Sequence, residues 1–285
     1  MAEFEALVAA ELAQPVDPRV SAMAAAIAAR HGAASRAVLF YGSCLRCAEL
    51  DGQMLDFYLI VSDYRAAYGA GWLAWANRLI PPNVFPFAHG GLQAKYAVLS
   101  EADFRRLNGP ETLSVSVWAR FSQPSRLVWA ADEAAGRGAV RAIARAAPTL
   151  LSSVPGFSGT PLDRWREAYR RTYRAELRAE KADRGVSVVD ADPERYARFT
   201  GPALAAVEAG APSRPWWARR LAGKALSVLR LAKASLTFAG GIDYLAWKIN
   251  RHAGTRIVIR PWQRRLPLVA ALTLLPRLVR SGAVR

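Results

Sequence analysis

Hydrophobic positions change their spacing along the chain, and the changes predict its elements. Residues 20–31 place apolar side chains at helical intervals and predict a helix. Residues 37–41 form a short apolar run stopped by Gly42-Ser43, the pattern of a buried strand entering a tight loop. A second strand follows over 55–61, LDFYLIV, and then an aromatic-rich helical stretch over 64–79. Pro81, Pro82 and Pro86 predict a loop, and the uncharged stretches 79–94 and 146–162 both read as loops rich in Pro, Gly and Ser. Residues 94–99, AKYAVL, predict a third strand, and Ser100 with Asp103 resembles a helix N-cap. Residues 112–121 alternate as a strand, and 126–129 form another. Beyond Ala131 the period is helical, over 133–146, 162–181 and 193–208, and 211–215 reads as a linker. The fold class expected is α+β, without internal repeats. Its parts are a mixed-sheet domain over 1–132, a helical second domain over 133–213, and a C-terminal segment of basic amphipathic helices over 214–285.

Composition sharpens this picture. With 285 residues, 52% hydrophobic and 22% charged, the chain has globular rather than disordered composition and enough length for two domains. Two cysteines, Cys44 and Cys47, cannot form a disulfide framework, which points to a reducing compartment. Residues 1–12 carry Glu3, Glu5 and Glu11 and no Lys or Arg, the opposite of a signal or transit peptide. The most apolar run, 266–276, is bounded by arginines and too short to span a bilayer. The expected location is therefore cytoplasmic and peripheral on a membrane.

Charge points to the partner. The net charge is +16, and the segment from Gly201 onward holds 15 of the 39 Lys and Arg against only Glu208 and Asp243. Those cations are interleaved with Trp216, Trp217, Phe238, Tyr244, Trp247 and Trp262. Nucleic acid and an anionic membrane surface compete as the polyanion. Leu221, Leu226, Leu229, Leu231 and their neighbours supply more apolar surface than phosphate contact needs, so the membrane is favoured over nucleic acid. The alternative is that these apolar residues pack on the body of the protein and leave the cations as a solvated face.

The segment 38–63, VLFYGSCLRCAELDGQMLDFYLIVSD, concentrates the candidate chemistry. A strand ending in Gly-Ser, a loop of about a dozen residues and a strand opening with Asp is the layout of the nucleotidyltransferase superfamily. Gly42 lets the backbone approach a triphosphate, Ser43 can hold phosphate oxygens, and Asp56 can bind a bridging Mg²⁺. A hairpin loop beside an exposed Asp is the plainer alternative. The second acid usual in that superfamily, two residues on, is here Tyr58, which leaves Asp63, Glu176 or Glu49 to supply it. Cys44-Leu45-Arg46-Cys47 lacks the further ligands of a zinc site and reads as incidental.

Further matches follow in order. GS and MLDFYLIVSD precede Lys95-Tyr96-Ala97-Val98-Leu99-Ser100, then Trp118-Ala119-Arg120-Phe121-Ser122-Gln123-Pro124, then Thr172-Tyr173-Arg174-Ala175-Glu176-Leu177-Arg178, then Leu236-Thr237-Phe238-Ala239-Gly240 and the segment 244–249. In this sequence the chain resembles the mitochondrial-type phosphatidate cytidylyltransferases, the translocator assembly and maintenance family of CDP-diacylglycerol synthases. It departs from their pattern at Cys44, in place of the last Gly of GSG, and at Ser122, in place of a His. The resemblance implies a nucleotidyltransferase-type sheet, a winged-helix-like second domain, CTP and phosphatidate as substrates, and Mg²⁺ as cofactor. It implies nucleotide binding by Gly42, Ser43, Lys95 and Arg120, metal binding by Asp56 and Asp63, and catalytic roles for Asp56, Lys95, Glu176 and Arg178. Read without it, Lys95 is a surface cation, Arg120 pairs with Asp132 or Glu133, and Glu176 and Arg178 belong to a solvated helix face. Two other functions stay open: a nucleotidyltransferase of another substrate class that holds RNA through the basic tail, and a catalytically inactive lipid-surface adaptor.

Overall fold

A computed structural model describes residues 2–46, 49–176, 188–207, 214–237 and 259–261. Five strands, β1 (Ser35–Tyr41), β2 (Met54–Val61), β3 (Asn83–His89), β4 (Leu92–Ser100) and β5 (Ser125–Ala130), form one mixed sheet in the order β3-β4-β2-β1-β5. Only β2 and β4 run parallel; the other neighbours are antiparallel. The architecture is α+β.

Strand alternation divides the core into two layers. Val38, Phe40, Leu55, Phe57 and Leu59 face helix α2 (Pro18–His31), which buries Val20, Met23, Ala24 and Ile27 at helical spacing. Leu39, Tyr41, Tyr58, Ile60, Ala97 and Leu99 face the opposite layer of helices. That layer contains α1 (Ala2–Leu12), α5 (Glu101–Leu107), α6 (Ser116–Phe121), α7 (Glu133–Ile143), α8 (Ala146–Leu151), α9 (Pro161–Ala175) and α10 (Pro193–Ala205). One buried cluster thus joins elements on both sides of residue 132. Short α3 (Tyr64–Tyr68) and α4 (Trp72–Leu79) connect β2 to β3, and α11 (Trp216–Thr237) is the last long helix described.

Local sequence signals explain the helix starts. Asp17, Thr160 and Asp192 cap α2, α9 and α10, each followed by Pro in the first turn, where its missing N–H costs nothing. Ser100 caps α5 by accepting from Asp103 N at 3.2 Å, as its sequence pattern predicts. A buried ion pair ties the ends of the fold together. Arg195 on α10 donates twice to Glu11 on α1, through Nη2 at 3.0 Å and through Nε, and its Nη1 reaches Ser122 O at 3.1 Å.

Several expectations are corrected. Residues 112–121 do not form a strand: Val117, Trp118 and Phe121 are all buried, a one-then-three spacing that a helix satisfies and a strand cannot, and α6 forms instead. The expected loop at Pro81, Pro82 and Pro86 gives way to β3 within three residues of its start. Pro86 fits because β3 is an edge strand and Pro86 points outward, exposed. The stretch 64–79 breaks into two helices at Gly69, whose φ of 70° ends α3. The helix expected over 133–146 stops at Ile143, and α8 occupies part of the 146–162 stretch read as a loop. Helix α1 was not anticipated. The helix expected over 162–181 runs Pro161–Ala175 with Glu176 already extended, and 177–181 lie outside the described residues. So do Glu208, most of the 211–215 linker, and the 244–249 segment.

Candidate functional site

The sheet register assembles the first half of the site. In β1 and β2, Tyr41 stands opposite Asp56; in the parallel β2–β4 pair, Lys95 is the direct partner of Asp56. Lys95 Nζ lies 3.0 Å from Asp56 Oδ1, but off the hydrogen-bonding direction, so this buried oxygen has an ion pair and no hydrogen-bond partner. The chain leaves β1 at Gly42 with φ of 95°, and a Cβ there would sit 2.9 Å from Asp56 Oδ2. Glycine is therefore required twice over, by backbone conformation and by close approach. Ser43 opens a short 3₁₀ turn, Ser43–Arg46, with its side chain exposed. The expected phosphate loop, Asp56 and Lys95 thus meet at one end of the sheet.

Helix α6 supplies the second half. Arg120 Cζ lies 4.7 Å from the Tyr41 ring centroid. It pairs with neither Asp132, which binds Arg36 and caps α7, nor Glu133, which binds Arg137. Burial works against the Arg120 charge, but Tyr41, Tyr58, Asp56 and Glu176 outweigh it and hold its pKa above the usual arginine value. Glu176, at the end of α9, is 8% exposed, so it does not belong to a solvated face.

A residue that sequence reasoning missed completes the cluster. Gly223 of α11 packs so tightly on the end of α9 that a Cβ there would sit 2.3 Å from Ala175 O. This contact brings Arg230 to 3.9 Å from Glu176 Oε1. Arg230 also donates to Pro81 O at 2.9 Å, Ser116 Oγ at 2.8 Å and Ser114 Oγ at 3.0 Å. Burial lowers its pKa, and Glu176 partly restores it. In the sequence it is one basic residue among many in the tail; only its packing distinguishes it. One turn on, Lys233 Nζ donates to the carbonyls of Ile80 and Pro82, and burial, then Arg230, lowers its pKa to about 7. The first part of the basic tail is therefore seated on the body of the protein along one face.

The remaining candidates fall elsewhere. Asp63 caps α3, accepting from Arg65 N at 2.8 Å and Ala66 N at 2.9 Å. It follows the far end of β2, seven residues from Asp56 and roughly 20 Å away at the rise of an extended chain, so it does not join the Asp56 cluster. The pairing of Asp56 with Asp63 as metal ligands is corrected on that ground. Arg178 and Cys47 lie outside the described residues, and Cys44 is buried, with its Sγ donating to Met54 O at 3.7 Å.

Tyr58, at the usual place of a second acid, is 5% exposed, with its ring centroid 5.4 Å from that of Tyr41 and 5.1 Å from that of Phe121. Burial raises its pKa, which keeps the phenol neutral and a poor metal ligand. Among the described residues no group of three or more His, Cys, Asp or Glu could hold a metal ion. Asp56 is a single carboxylate already paired with Lys95, so a Mg²⁺ held there would need that pair to open and would take its other ligands from substrate phosphates and water.

Two further surfaces bear on function. Trp72, Trp75 and Leu79 line one exposed side of α4, and Trp217, Leu221 and Leu229 are exposed on α11. Among the described residues no helix is long and apolar enough to cross a membrane. No family model matches the chain, and no curated protein matches it.

Proposed function

We propose that the protein transfers a cytidylyl group from CTP to phosphatidate at a membrane surface, on a nucleotidyltransferase-type sheet closed by a winged-helix-like helical part. The observation that carries this reading is the junction at Asp56: a glycine loop with positive φ pressed against a carboxylate, beside an in-register lysine. Structural ion pairs do not need a Cβ-free loop at their side, whereas a phosphate chain laid along backbone N–H groups does.

In this reading the Gly42–Ser43 backbone and the Ser43 hydroxyl hold phosphate oxygens of CTP. Lys95 exchanges its partner, from Asp56 to the triphosphate, and neutralises charge there. Bound Mg²⁺, held by Asp56 and the phosphates, would withdraw charge from the reacting group. A lipid phosphate oxygen attacks the α-phosphorus in line; the new P–O bond forms as the bond to the bridging oxygen breaks, and pyrophosphate leaves with the electron pair. A phosphate monoester is already ionised near neutral pH, so no general base is needed. Arg120 is held charged by Glu176 and Asp56 and supplies fixed positive charge at the site. The exposed tryptophans and leucines of α4 and α11 support peripheral docking, with indoles at the acyl boundary and basic residues at the headgroups.

Tyr58 favours a second reading, a catalytically inactive lipid-surface adaptor. One experiment separates the two: purified protein with labelled CTP, Mg²⁺ and phosphatidate in mixed micelles, scored for lipid-extractable label. Transfer by the wild type, abolished in Asp56→Asn, is the expected result. Retention on the lipid phase with neither Mg²⁺-dependent CTP binding nor lipid label supports the adaptor, and no retention, no CTP binding and no label refutes both.

A further inference from the structure

A cavity of about 350 Å³ is lined by α8, α9, the end of α10 and the start of α11, and none of the residues of the Asp56 cluster lines it. Its volume falls in the range of small-molecule sites. Three arginines, Arg171, Arg214 and Arg219, line it, and among the described residues its lining holds no acid. A fourth, Arg145, is balanced by Glu111, which it binds at 2.9 and 3.0 Å.

Arg219 is the informative member. It is 3% exposed, its Nη2 donates to Pro110 O at 2.7 Å, and its Nε has no hydrogen-bond partner among the described residues. Burial, and then the like charge of Arg214, lower its pKa. Ser153 Oγ, on the same cavity, is also buried and without a hydrogen-bond partner. Buried donors left unsatisfied are costly, and an anion in the cavity would satisfy Arg219 Nε and Ser153 Oγ together, with the half-buried Arg171 and the exposed Arg214 at its rim. Arg171 Cζ sits 4.6 Å from the Trp216 ring centroid, which fixes one guanidinium at the rim against an aromatic wall.

We propose that this cavity binds the phosphoryl group of a phosphomonoester, with Arg171, Arg214, Arg219 and Ser153 as donors and the organic body of the ligand against Trp216 and the adjoining prolines. Three guanidinium groups and a hydroxyl match the double charge and three terminal oxygens of such a group better than the single charge of a carboxylate. The volume exceeds that of a bare phosphate, which leaves room for the attached group. The phosphomonoester can be water-soluble or the headgroup of a lipid. The site stands apart from the one proposed for CTP, so either proposal can fail alone.

The test is isothermal titration of the full chain with two probes, glycerol 3-phosphate and dihexanoyl phosphatidate below its micellar concentration. Saturable binding of either is expected, weakened about tenfold in Arg171→Gln and in Ser153→Ala, as expected for loss of a hydrogen bond to a charged group. Arg171 is a partly exposed rim residue and Ser153→Ala is a small change, so melting temperatures should match the wild type. Asp56→Asn should bind glycerol 3-phosphate as the wild type does. Tighter glycerol 3-phosphate assigns a soluble ligand, and tighter phosphatidate a lipid. The proposal is overturned if neither probe binds, if Arg171→Gln and Ser153→Ala bind like the wild type, or if only Asp56→Asn loses binding.

Discussion

Replacing Gly42 by Ala tests the central geometry more sharply than removing a charge, because two independent penalties act at one atom. The first is conformational: φ of 95° lies where an L residue is strained, a cost on the order of 1–2 kcal/mol. The second is steric: the new Cβ would stand 2.9 Å from Asp56 Oδ2, inside any normal contact. Asp56 has a short side chain held from the other side by Lys95 at 3.0 Å, so it can retreat only by weakening that pair. Together these predict a loss of about 2–3 kcal/mol, the upper part of the range for a residue in a sparsely populated conformation. For a chain of this size that lowers the melting temperature by roughly 5–10 °C. Gly138→Ala is the matched control: Gly138 lies within α7, is not followed by proline and has nothing within 4 Å of its Cβ position, so it should gain about 0.5–1 kcal/mol. Differential scanning calorimetry gives the stabilities, and equilibrium dialysis with labelled CTP gives the binding. A Gly42→Ala protein that melts with the wild type and retains CTP would refute both the strain and the phosphate-loop reasoning.

Other outcomes follow from the same structure. Glu11→Ala leaves Arg195 charged and buried without its partner and should cost about 3–5 kcal/mol in chemical denaturation; a cost under about 1 kcal/mol would show that the pair is dispensable. Lys233 has a folded-state pKa of about 7, below its unfolded value, so the unfolded chain binds more protons between about pH 7 and 10 and stability rises with pH across that window. Lys233→Met should flatten that rise in melting experiments, and an unchanged slope would remove Lys233 as its cause. Trp72→Ser combined with Trp75→Ser should reduce sedimentation with anionic vesicles several-fold at unchanged melting temperature, since both indoles are exposed; undiminished pelleting would exclude α4 from the contact.

The sequence made the sheet-borne half of the site legible because strand register is a local pattern. Gly42, Asp56 and Lys95 sit at the ends of three apolar runs whose alternation can be counted, and the register brings them together. Arg120 was placed on a strand by alternation, yet it reaches the same cluster from α6, because burial on all sides disguises a short helix as a strand. Arg230 could not be found: its role depends on Gly223 seating α11 against the end of α9, a contact between distant segments that leaves no local periodicity. Asp63 shows the opposite failure. An acid at the end of an apolar run looks like a ligand, but the same position is where a following helix needs its N-cap. The edge strand β3 was hidden by Pro86, which is permitted there only because no neighbour needs its N–H.

The contact between Glu11 and Arg195 also sets an order for synthesis. Helix α1 leaves the ribosome well before α10, yet its acidic anchor and its buried Phe4, Val8 and Leu12 rest on partners that include α10. The two ends of the pair are 184 residues apart in sequence, so at usual translation rates α1 waits roughly 10–40 s for its partner. During that interval an apolar helix is tethered to the growing chain without its partner, and it becomes a handle for chaperones or for misassembly. A rearranged chain in which α1 is moved to follow α10 would shorten the wait to the length of one loop and should raise the yield of soluble protein from cell-free translation.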